Sequence, residues 1–296
     1  MPTLAPVNKS TAAPDLTNTT AIVTGANSGI GLATAQALAD WGASVVFAVR
    51  NPAKGARAAA AVCGRTEVRE LNLADLASVR RFADEWNGPI DLLINNAGVS
   101  VADRRETEDG FELQFGTNHL GPFALTNLLL PHIIGRVVTL SSRAERVGRI
   151  DFDDLNWERR TYKGMGAYAA SKLANLLFTS ELHRRLGKSG STVIAVSAHP
   201  GFVATNIYNQ SGFAARFAAR TLAQRPEDGA LPVLYAATAD IAGESFTGPE
   251  HFMHMRGGAG LIKPSKAAKN AVLAGRLWDA SEQLTGVPFP RLSMPR

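Results

Sequence analysis

The chain has 296 residues, enough for one large α/β domain or two small ones. Hydrophobic residues make up 45% and charged residues 19%, which excludes a disordered chain, and 27 glycines without a fixed period exclude a collagen-like one. The formal net charge of +5 is spread over isolated basic pairs such as Arg80-Arg81 and Arg184-Arg185, a distribution that argues against nucleic-acid binding and fits a small anionic ligand better.

The numbers of cysteines and histidines indicate the cellular compartment of the protein and whether it has a metal site. Cys63 is the only cysteine, and the six histidines do not combine with it into a zinc-binding set, so we expect a cytoplasmic protein without a metal site. The start of the chain lacks an apolar leader region, and no segment reaches about 18 uninterrupted apolar residues, so neither export nor a membrane span is expected. Residues 1–15 lack periodicity and predict a flexible tail.

From residue 16 onward, short β-branched segments alternate with longer Ala- and Leu-rich segments of helical period. The predicted strands are residues 21–24, 44–49, 68–71, 91–95, 136–141 and 191–198, and the clearest late helices are 166–187 and 226–239. Apolar strands separated by helices indicate a parallel sheet that is buried on both faces. We therefore predict one α/β domain over residues 16–296, with a doubly wound parallel sheet of about seven strands and helices on both faces.

The first predicted strand leads directly into a glycine-rich turn, Thr24-Gly25-Ala26-Asn27-Ser28-Gly29-Ile30-Gly31. Glycines let the backbone turn tightly and approach a pyrophosphate, whose charge then lies at the N-terminus of the following helix. A tight turn that binds nothing is the alternative explanation. Three residues separate Gly25 from Gly29, which differs from the single-residue gap of the common G-x-G-x-x-G pattern.

Four further segments with candidate functional residues follow the glycine-rich turn along the chain. They are Asn95-Asn96-Ala97-Gly98 at the end of the fourth predicted strand, Asn118 in the following helix, Ser142 at the end of the fifth strand, and Tyr168-Ala169-Ala170-Ser171-Lys172. With the glycine spacing, these segments resemble the short-chain dehydrogenase/reductase (SDR) family over residues 18–250. The resemblance implies a Rossmann-type fold and hydride transfer between a nicotinamide cofactor and a carbonyl or alcohol. The long insertion between Ser142 and Tyr168 resembles the branch of retinol dehydrogenases and carbonyl reductases.

Tyr168 and Lys172 are four residues apart, so on a helix they share one face. Carbonyl reduction needs a proton on the oxygen, and a phenol with a pKa near 10 supplies it poorly at neutral pH unless a nearby cation stabilises the phenolate. The resemblance implies that Lys172 also binds the nicotinamide ribose. It further implies that Ser142 holds the substrate oxygen and that Asn118 fixes a water behind Lys172.

Ser141 and Tyr162 are alternatives to Ser142 and Tyr168 as catalytic residues, and the sequence disfavours both. Ser141 would point to the opposite face from Ser142 if both lay on a strand, and the family pattern matches Ser142. Ser141 is then expected to support the end of the strand. Tyr162 has no lysine four residues later, so we do not expect it to be catalytic.

The resemblance also implies a set of cofactor-binding residues besides Tyr168 and Lys172. They are Gly25, Asn27, Ser28, Gly29, Ile30, Gly31, Arg50, Asn72, Leu73, Asn95, Ala97, Gly98, Pro200, Gly201, Val203 and Thr205.

We expect NADP(H) to be preferred over NAD(H), because Val49 occupies the position where an acidic residue would bind the ribose 2′-hydroxyl. Arg50 follows it, and a guanidinium can bind a 2′-phosphate in bidentate fashion, while Lys54 adds charge one turn later. Stacking of Arg50 on adenine is the alternative.

The substrate is expected to be a small-molecule carbonyl compound or alcohol of apolar character. Its pocket is predicted to be shaped by loops at residues 143–167, 203–225 and 246–262. Phe213, Phe217 and Leu222 in the second loop fit either a lid or a plain surface helix. His251 and His254 lack a third and fourth ligand, so a metal site is not expected there.

The resemblance also leads to an expected oligomeric state and to two alternative functions. The family commonly forms dimers and tetramers, so we expect a homodimer or homotetramer. The alternative function is a catalytically silent nucleotide-binding sensor or scaffold of the same fold, which would be expected to have lost Tyr168 or Lys172. An epimerase or dehydratase of the extended branch would need a longer C-terminal domain and a different glycine spacing.

Overall fold

The computed structural model describes residues 13–203 and 224–292, which form one eight-stranded sheet. The strands are β1 (Thr20–Thr24), β2 (Ser44–Val49), β3 (Arg65–Glu70), β4 (Ile90–Asn95), β5 (Ile133–Leu140), β6 (Ile194–Ala198), β7 (Phe246–Gly248) and β8 (Gly260–Leu261). Their order is β3-β2-β1-β4-β5-β6-β7-β8, and all neighbours pair in parallel except the antiparallel pair of β7 and β8. The strand order reverses between β1 and β4, which places a ligand-binding crevice at their carboxyl ends.

Helices cover both faces of this sheet. They are α1 (Gly29–Asp40), α2 (Pro52–Ala59), α3 (Leu76–Asp84), α4 (Leu113–Phe115), α5 (Gly121–Leu129), α6 (Gly164–Lys188), α7 (Pro226–Thr238) and α8 (Ala271–Thr285). A π-helical turn (Gly116–Leu120) joins α4 to α5, and a 3₁₀-helix (Arg143–Val147) follows β5. Apolar residues of β1 and β2 alternate between a core under α1 and α7 and a second core under α3, α5, α6 and α8.

The predicted doubly wound α/β fold is therefore confirmed, with eight strands where about seven were expected. The starts of three strands differ from the prediction by three residues: β3 begins at Arg65 and not at 68, β5 at Ile133 and not at 136, and β6 at Ile194 and not at 191. The residues of β3, RTEVRE, are mostly polar and are exposed or half-buried because β3 is an edge strand of the sheet, so hydrophobic patterning finds only part of it. Most of the predicted tail and most of the predicted loop at 203–225 lie outside the described residues. Within the described ranges, no helix is long and apolar enough to cross a membrane.

Candidate active site

The glycine-rich turn between β1 and α1 brings the backbone unusually close to its neighbours. Gly25 and Gly29 have φ angles of +67° and +55°, a region that favours glycine. A Cβ on Gly31 would overlap the carbonyl oxygen of Gly25 and the side chain of Asn96. Ser28 is the N-cap of α1 but makes no side-chain cap, and the first turn contains no acidic residue. The N-terminal amides of α1 are thus suited to an anionic group.

Thr24 and Asn96 fix this turn to the end of β4. The Oγ1 atom of Thr24 accepts hydrogen bonds from the backbone amides of Asn96 and Ala97, at 3.0 and 2.9 Å. The side-chain amide of Asn96 donates to the carbonyl oxygen of Thr24 at 2.7 Å. Neither residue was among the predicted site residues, although both stand next to predicted ones in the sequence. Their bonds join the two loops that border the crevice.

Three residues that were predicted to bind the cofactor make hydrogen bonds or packing contacts within the protein itself. The Asn95 amide is buried and donates to Thr126 Oγ1 on α5 at 2.9 Å, so it points into the core. Asn72 Oδ1 accepts from the amide of Ala74 at 3.2 Å in a local turn. Leu73 is buried against α5, where a Cβ on Gly121 would overlap its carbonyl oxygen. A cofactor-binding role for these residues stays a prediction.

The end of β2 lies beside the glycine-rich turn, because Gly25 N donates to the carbonyl oxygen of Ala48 at 2.8 Å. Val49 is buried, and Arg50 directly after it is exposed. Helix α2 begins at Pro52, as the prediction for Lys54 requires, and Asn51 caps it by accepting from the amide of Lys54 at 3.0 Å. Lys54 is also exposed, so two cations flank this corner of the crevice.

Lys172 lies at the carboxyl end of β5, near the loop after β4 and beside Tyr168. Lys172 is buried, its Nζ atom donates to the carbonyl oxygen of Leu140 at 3.2 Å, and burial lowers the pKa of Lys172 to about 8. This Nζ atom lies 5.6 Å from the centre of the half-buried Tyr168 ring. A Cβ on Gly98 would stand 3.5 Å from Lys172 Nζ and 3.3 Å from Asn118 Oδ1. The fold thus brings these four predicted residues together.

Asn118 lies in the π-helical turn and bridges two elements. Its Oδ1 atom accepts from the amide of Val99 at 2.7 Å, and its Nδ2 atom donates to the Val99 carbonyl and to Ser171 Oγ, both at 3.0 Å. Ser171 Oγ donates in turn to the carbonyl oxygen of Tyr168 at 2.8 Å. Asn118 therefore fastens the loop after β4 to α6, and its predicted water-binding role stays a prediction.

The adjacent serines have different partners, although both lie beyond β5, which ends at Leu140 and not at Ser142 as expected. Ser141 is buried, and its Oγ atom donates to the carbonyl oxygen of Lys172 at 2.7 Å. Ser142 is half-buried at the N-cap of the 3₁₀-helix, where its Oγ atom accepts from the amide of Ala144 at 3.2 Å. Because Oγ of Ser142 accepts this bond, its hydroxyl hydrogen remains for another acceptor.

The Tyr162 hydroxyl forms its hydrogen bonds with residues other than those described around Lys172 and Tyr168. It donates to Glu112 Oε1 at 2.8 Å and accepts from Gln114 Nε2 at 2.7 Å. Burial and the negative charge of Glu112 raise the pKa of Tyr162. The carboxylate of Glu112 also accepts the amides of Gln114 and Phe115 and so caps α4. Tyr162 thus ties the insertion before α6 to the start of α4.

Comparisons with known proteins address the family directly. A sequence model described as short chain dehydrogenase matches residues 19–213. Human retinol dehydrogenase 13 is 42% identical over 295 residues, which cover 92% of this chain and 86% of that protein. Mouse polyprenol dehydrogenase is 40% identical over 286 residues, covering 90% and 83%. The chain belongs to the short-chain dehydrogenase family.

Solved structures agree with this assignment. An uncharacterised protein from Mycobacterium paratuberculosis is 50% identical, with a TM-score of 0.84 and coverage of 94% of this chain and 97% of that chain. A short chain dehydrogenase from Burkholderia cenocepacia in complex with NADP is 28% identical, with a TM-score of 0.61 and coverage of 77% and 95%. This short-chain dehydrogenase is an NAD(P)-dependent oxidoreductase that acts on alcohols or carbonyl compounds.

The Pro-Gly segment of this short-chain dehydrogenase follows β6. Gly201 has a φ of +81°, and its amide donates to Nδ1 of the buried His199 at 3.3 Å. Burial is the main cause that lowers the pKa of His199 to about 3. Gln224 Nε2 donates to the carbonyl oxygen of Pro200 at 2.6 Å, and Val203 pairs with Gln224. Thr205 lies outside the described residues.

Proposed function

We propose that this protein is an NADP(H)-dependent dehydrogenase/reductase of apolar primary alcohols and aldehydes, with Tyr168, Lys172, Ser142 and Asn118 as its site. The observation that carries the proposal is the buried Lys172 ammonium beside the Tyr168 ring at the carboxyl end of β5. Burial of a lysine is costly and is accepted where its charge has a use. A silent nucleotide sensor could use Lys172 to bind the nicotinamide ribose, but it has no use for a phenol beside that ammonium.

The residues at the crevice fit a dinucleotide. The uncapped N-terminus of α1 and the close approach at Gly25 and Gly31 suit a pyrophosphate. The exposed Arg50 and Lys54 suit a ribose 2′-phosphate, and the buried Val49 offers no carboxylate to repel it. When bound, the nicotinamide supplies or accepts the hydride.

The protein's own residues handle the proton. In the reductive direction, the Tyr168 hydroxyl gives its proton to the carbonyl oxygen, and in the oxidative direction the phenolate takes it back. With its pKa near 8, Lys172 is mostly protonated at pH 7, so its ammonium stabilises the phenolate of Tyr168. Ser142 donates its remaining hydroxyl hydrogen to the substrate oxygen and holds it beside Tyr168.

Exposed apolar side chains support an apolar substrate. Among the described residues, the large hydrophobic side chains with high exposure are Ile134, Val147, Met165, Phe252, Met253, Leu261 and Val272. Five of these seven belong to the predicted substrate loops at 143–167 and 246–262. Retinol and polyprenol dehydrogenases, two of the similar proteins, are named for alcohols with long isoprenoid chains. We therefore propose a long-chain, terminally oxygenated substrate.

The test is oxidation of NADPH and NADH by the purified protein with retinal, a long-chain aliphatic aldehyde and a short aldehyde. We expect kcat/KM to be highest with NADPH and the long aldehydes. Absence of turnover with every pair, together with tight NADPH binding, would instead support the silent sensor.

The cofactor preference is tested by the variant Val49→Asp/Arg50→Ala, with Arg57→Ala, an exposed arginine of α2, as the matched control. We expect the double variant to lower the NADPH/NADH ratio of kcat/KM at least tenfold and Arg57→Ala to leave it unchanged. A wild-type preference for NADH would contradict the proposal. Size-exclusion chromatography of the same samples tests the proposed homodimer or homotetramer.

A further inference from the structure

The carbonyl oxygen of Leu140 has two side-chain donors in place of a strand partner. Pairing of β4 with β5 ends at Asn95 and Thr139, and the next two amides of the chain after β4 donate to Thr24 instead. Leu140 O accepts from Lys172 Nζ at 3.2 Å and from Asn175 Nδ2 at 2.9 Å. A backbone carbonyl has two lone pairs, so these two donors satisfy it fully.

Asn175 is consequently a close neighbour of the Lys172 ammonium. The two residues are three positions apart on α6 and face the same atom. Since both donors bond one oxygen, Asn175 Nδ2 and Lys172 Nζ can be no more than about 6 Å apart, a separation at which charges shift pKa values. Tyr168 on α6 and His199 beyond β6 also interact with Lys172.

His119, in the π-helical turn, also interacts with Asn175. Its ring is buried among Phe115, Phe123 and Phe178, with ring centres 5.1 to 6.2 Å away, and this burial lowers the pKa of His119 to about 3. The ring is therefore neutral at pH 7, and one nitrogen carries a hydrogen. The interaction with Asn175 partly offsets the effect of burial on this pKa.

Hydrogen bonding selects one tautomer of His119. Its Nε2 atom lies 2.9 Å from Ser281 Oγ on α8, while His119 Nδ1 and Asn175 Oδ1 are both buried and have no hydrogen-bond partner among the described residues. A hydrogen on Nδ1 can be donated to Asn175 Oδ1. The Ser281 hydroxyl, which lies 2.8 Å from the carbonyl oxygen of Leu277, can then turn to donate to Nε2, because Leu277 O keeps its helical hydrogen bond from the Ser281 amide. This arrangement satisfies all three groups, and leaving two of them unpaired would cost about 1–3 kcal/mol each.

We propose that Asn175 is a positioning residue for Lys172 and that His119 fixes the orientation of its amide, with Oδ1 toward the ring and Nδ2 toward Leu140. The inference rests on the proposed function only in taking Lys172 as catalytic. Asn175 holds the carbonyl that anchors the ammonium, and it keeps the positive N–H edge of its amide next to that ammonium. Neither Asn175 nor His119 was predicted from the sequence.

The first test is Asn175→Asp, which keeps the acceptor for His119 but replaces the N–H edge with a carboxylate oxygen. The Lys172 titration is followed by NMR on full-length protein labelled with [13Cε]lysine, and Lys172→Met identifies the resonance. A carboxylate this close favours the ammonium, so we expect the Lys172 midpoint to rise by at least 0.5 pH unit. With NADPH and aldehyde, kcat should fall at least tenfold while the KM of the substrate stays within about twofold.

Asn127→Asp is the matched control, because Asn127 is a buried asparagine of α5 with no hydrogen bond from its amide to Leu140. We expect it to lower stability without moving the Lys172 midpoint. A midpoint that is unchanged in Asn175→Asp, or equally shifted in Asn127→Asp, would overturn the proposal.

His119→Phe keeps a ring among the aromatic neighbours and decides the matter if Asn175→Asp does not fold. Without the His119 donor the amide of Asn175 can turn its oxygen toward Lys172, so we expect a smaller upward shift of the same midpoint. An unchanged Lys172 midpoint in His119→Phe would overturn the proposed role of His119. If Asn175→Asp does not fold, the same result would overturn the whole proposal. The NMR titration needs no turnover, so failure of the proposed activity is seen separately, as lack of turnover by the wild type.

Discussion

Tyr162 and Tyr168 stand on either side of the first residues of α6, and their hydroxyls have different surroundings. The Tyr162 hydroxyl bonds Glu112 and Gln114, whereas the Tyr168 ring lies beside Lys172. We expect Tyr168→Phe to lower kcat at least a hundredfold, the lower range for loss of a general acid, and to leave the NADPH Kd within about twofold. Tyr162→Phe should retain kcat and lose about 1–2 kcal/mol of unfolding free energy. Steady-state kinetics, fluorescence titration and urea unfolding measure these effects, and wild-type turnover by Tyr168→Phe would contradict the assignment.

The two serines after β5 give a second prediction at this scale. Ser141 uses its hydroxyl hydrogen on the Lys172 carbonyl, whereas Ser142 retains its own. Ser142→Ala should therefore lower kcat at least tenfold, because the substrate oxygen loses a donor. Ser141→Ala should cost about 1 kcal/mol of stability and change kcat by less than threefold. Kinetics of both variants decide between them, and the reverse ranking would show that Ser141 faces the substrate.

Elements with a strong local pattern were predictable, and elements created by tertiary contacts were not. The run SVVFAV of β2 and the Tyr168–Lys172 helix α6 follow from β-branched content and helical period. The sequence predicts an ordinary helix at Asn118, where the structure has a π-helical turn, because periodicity does not distinguish the two. The three-residue β7 and the two-residue β8 are too short to show alternation. His119 and Asn175 were missed because their partners, Ser281 and Leu140, are distant in sequence.

The turn between β1 and α1 supplies the prediction at the scale of elements. A methyl group at position 31 would overlap Gly25 O and Asn96, so Gly31→Ala should separate α1 from the loop after β4. We expect it to weaken NADPH binding at least tenfold and to lower stability. Gly187→Ala in α6 is the control, since a Cβ there meets nothing within 4 Å and alanine favours helix by about 1 kcal/mol. Fluorescence titration and urea unfolding test both variants, and unchanged NADPH affinity in Gly31→Ala would refute the close-approach argument.

At the scale of the whole molecule, the site is built at the expense of stability. The pKa of Lys172 is about 8 in the folded protein and 10.5 without the fold, so the folded state disfavours the ammonium. The penalty is fully present below pH 8. Between pH 8 and 10.5 the unfolded chain binds more protons than the folded one, so this contribution to stability rises with pH by about 1.4 kcal/mol per unit. Above pH 10.5 the lysine is neutral in both states and no penalty remains.

Lys172→Met removes this penalty while preserving the volume of the side chain. The variant should therefore be more stable than the wild type at pH 7, by up to about 3 kcal/mol, although its activity is lost. The difference should shrink as the pH rises from 8 to 10.5, because only the wild type gains stability there. Urea unfolding of both proteins at pH 7 and pH 10 measures it, with Lys188→Met, an exposed lysine at the end of the same helix, as the control. Equal stability of Lys172→Met and wild type at pH 7, or a difference that does not vary with pH, would mean that the buried ammonium of Lys172 carries no penalty in the fold.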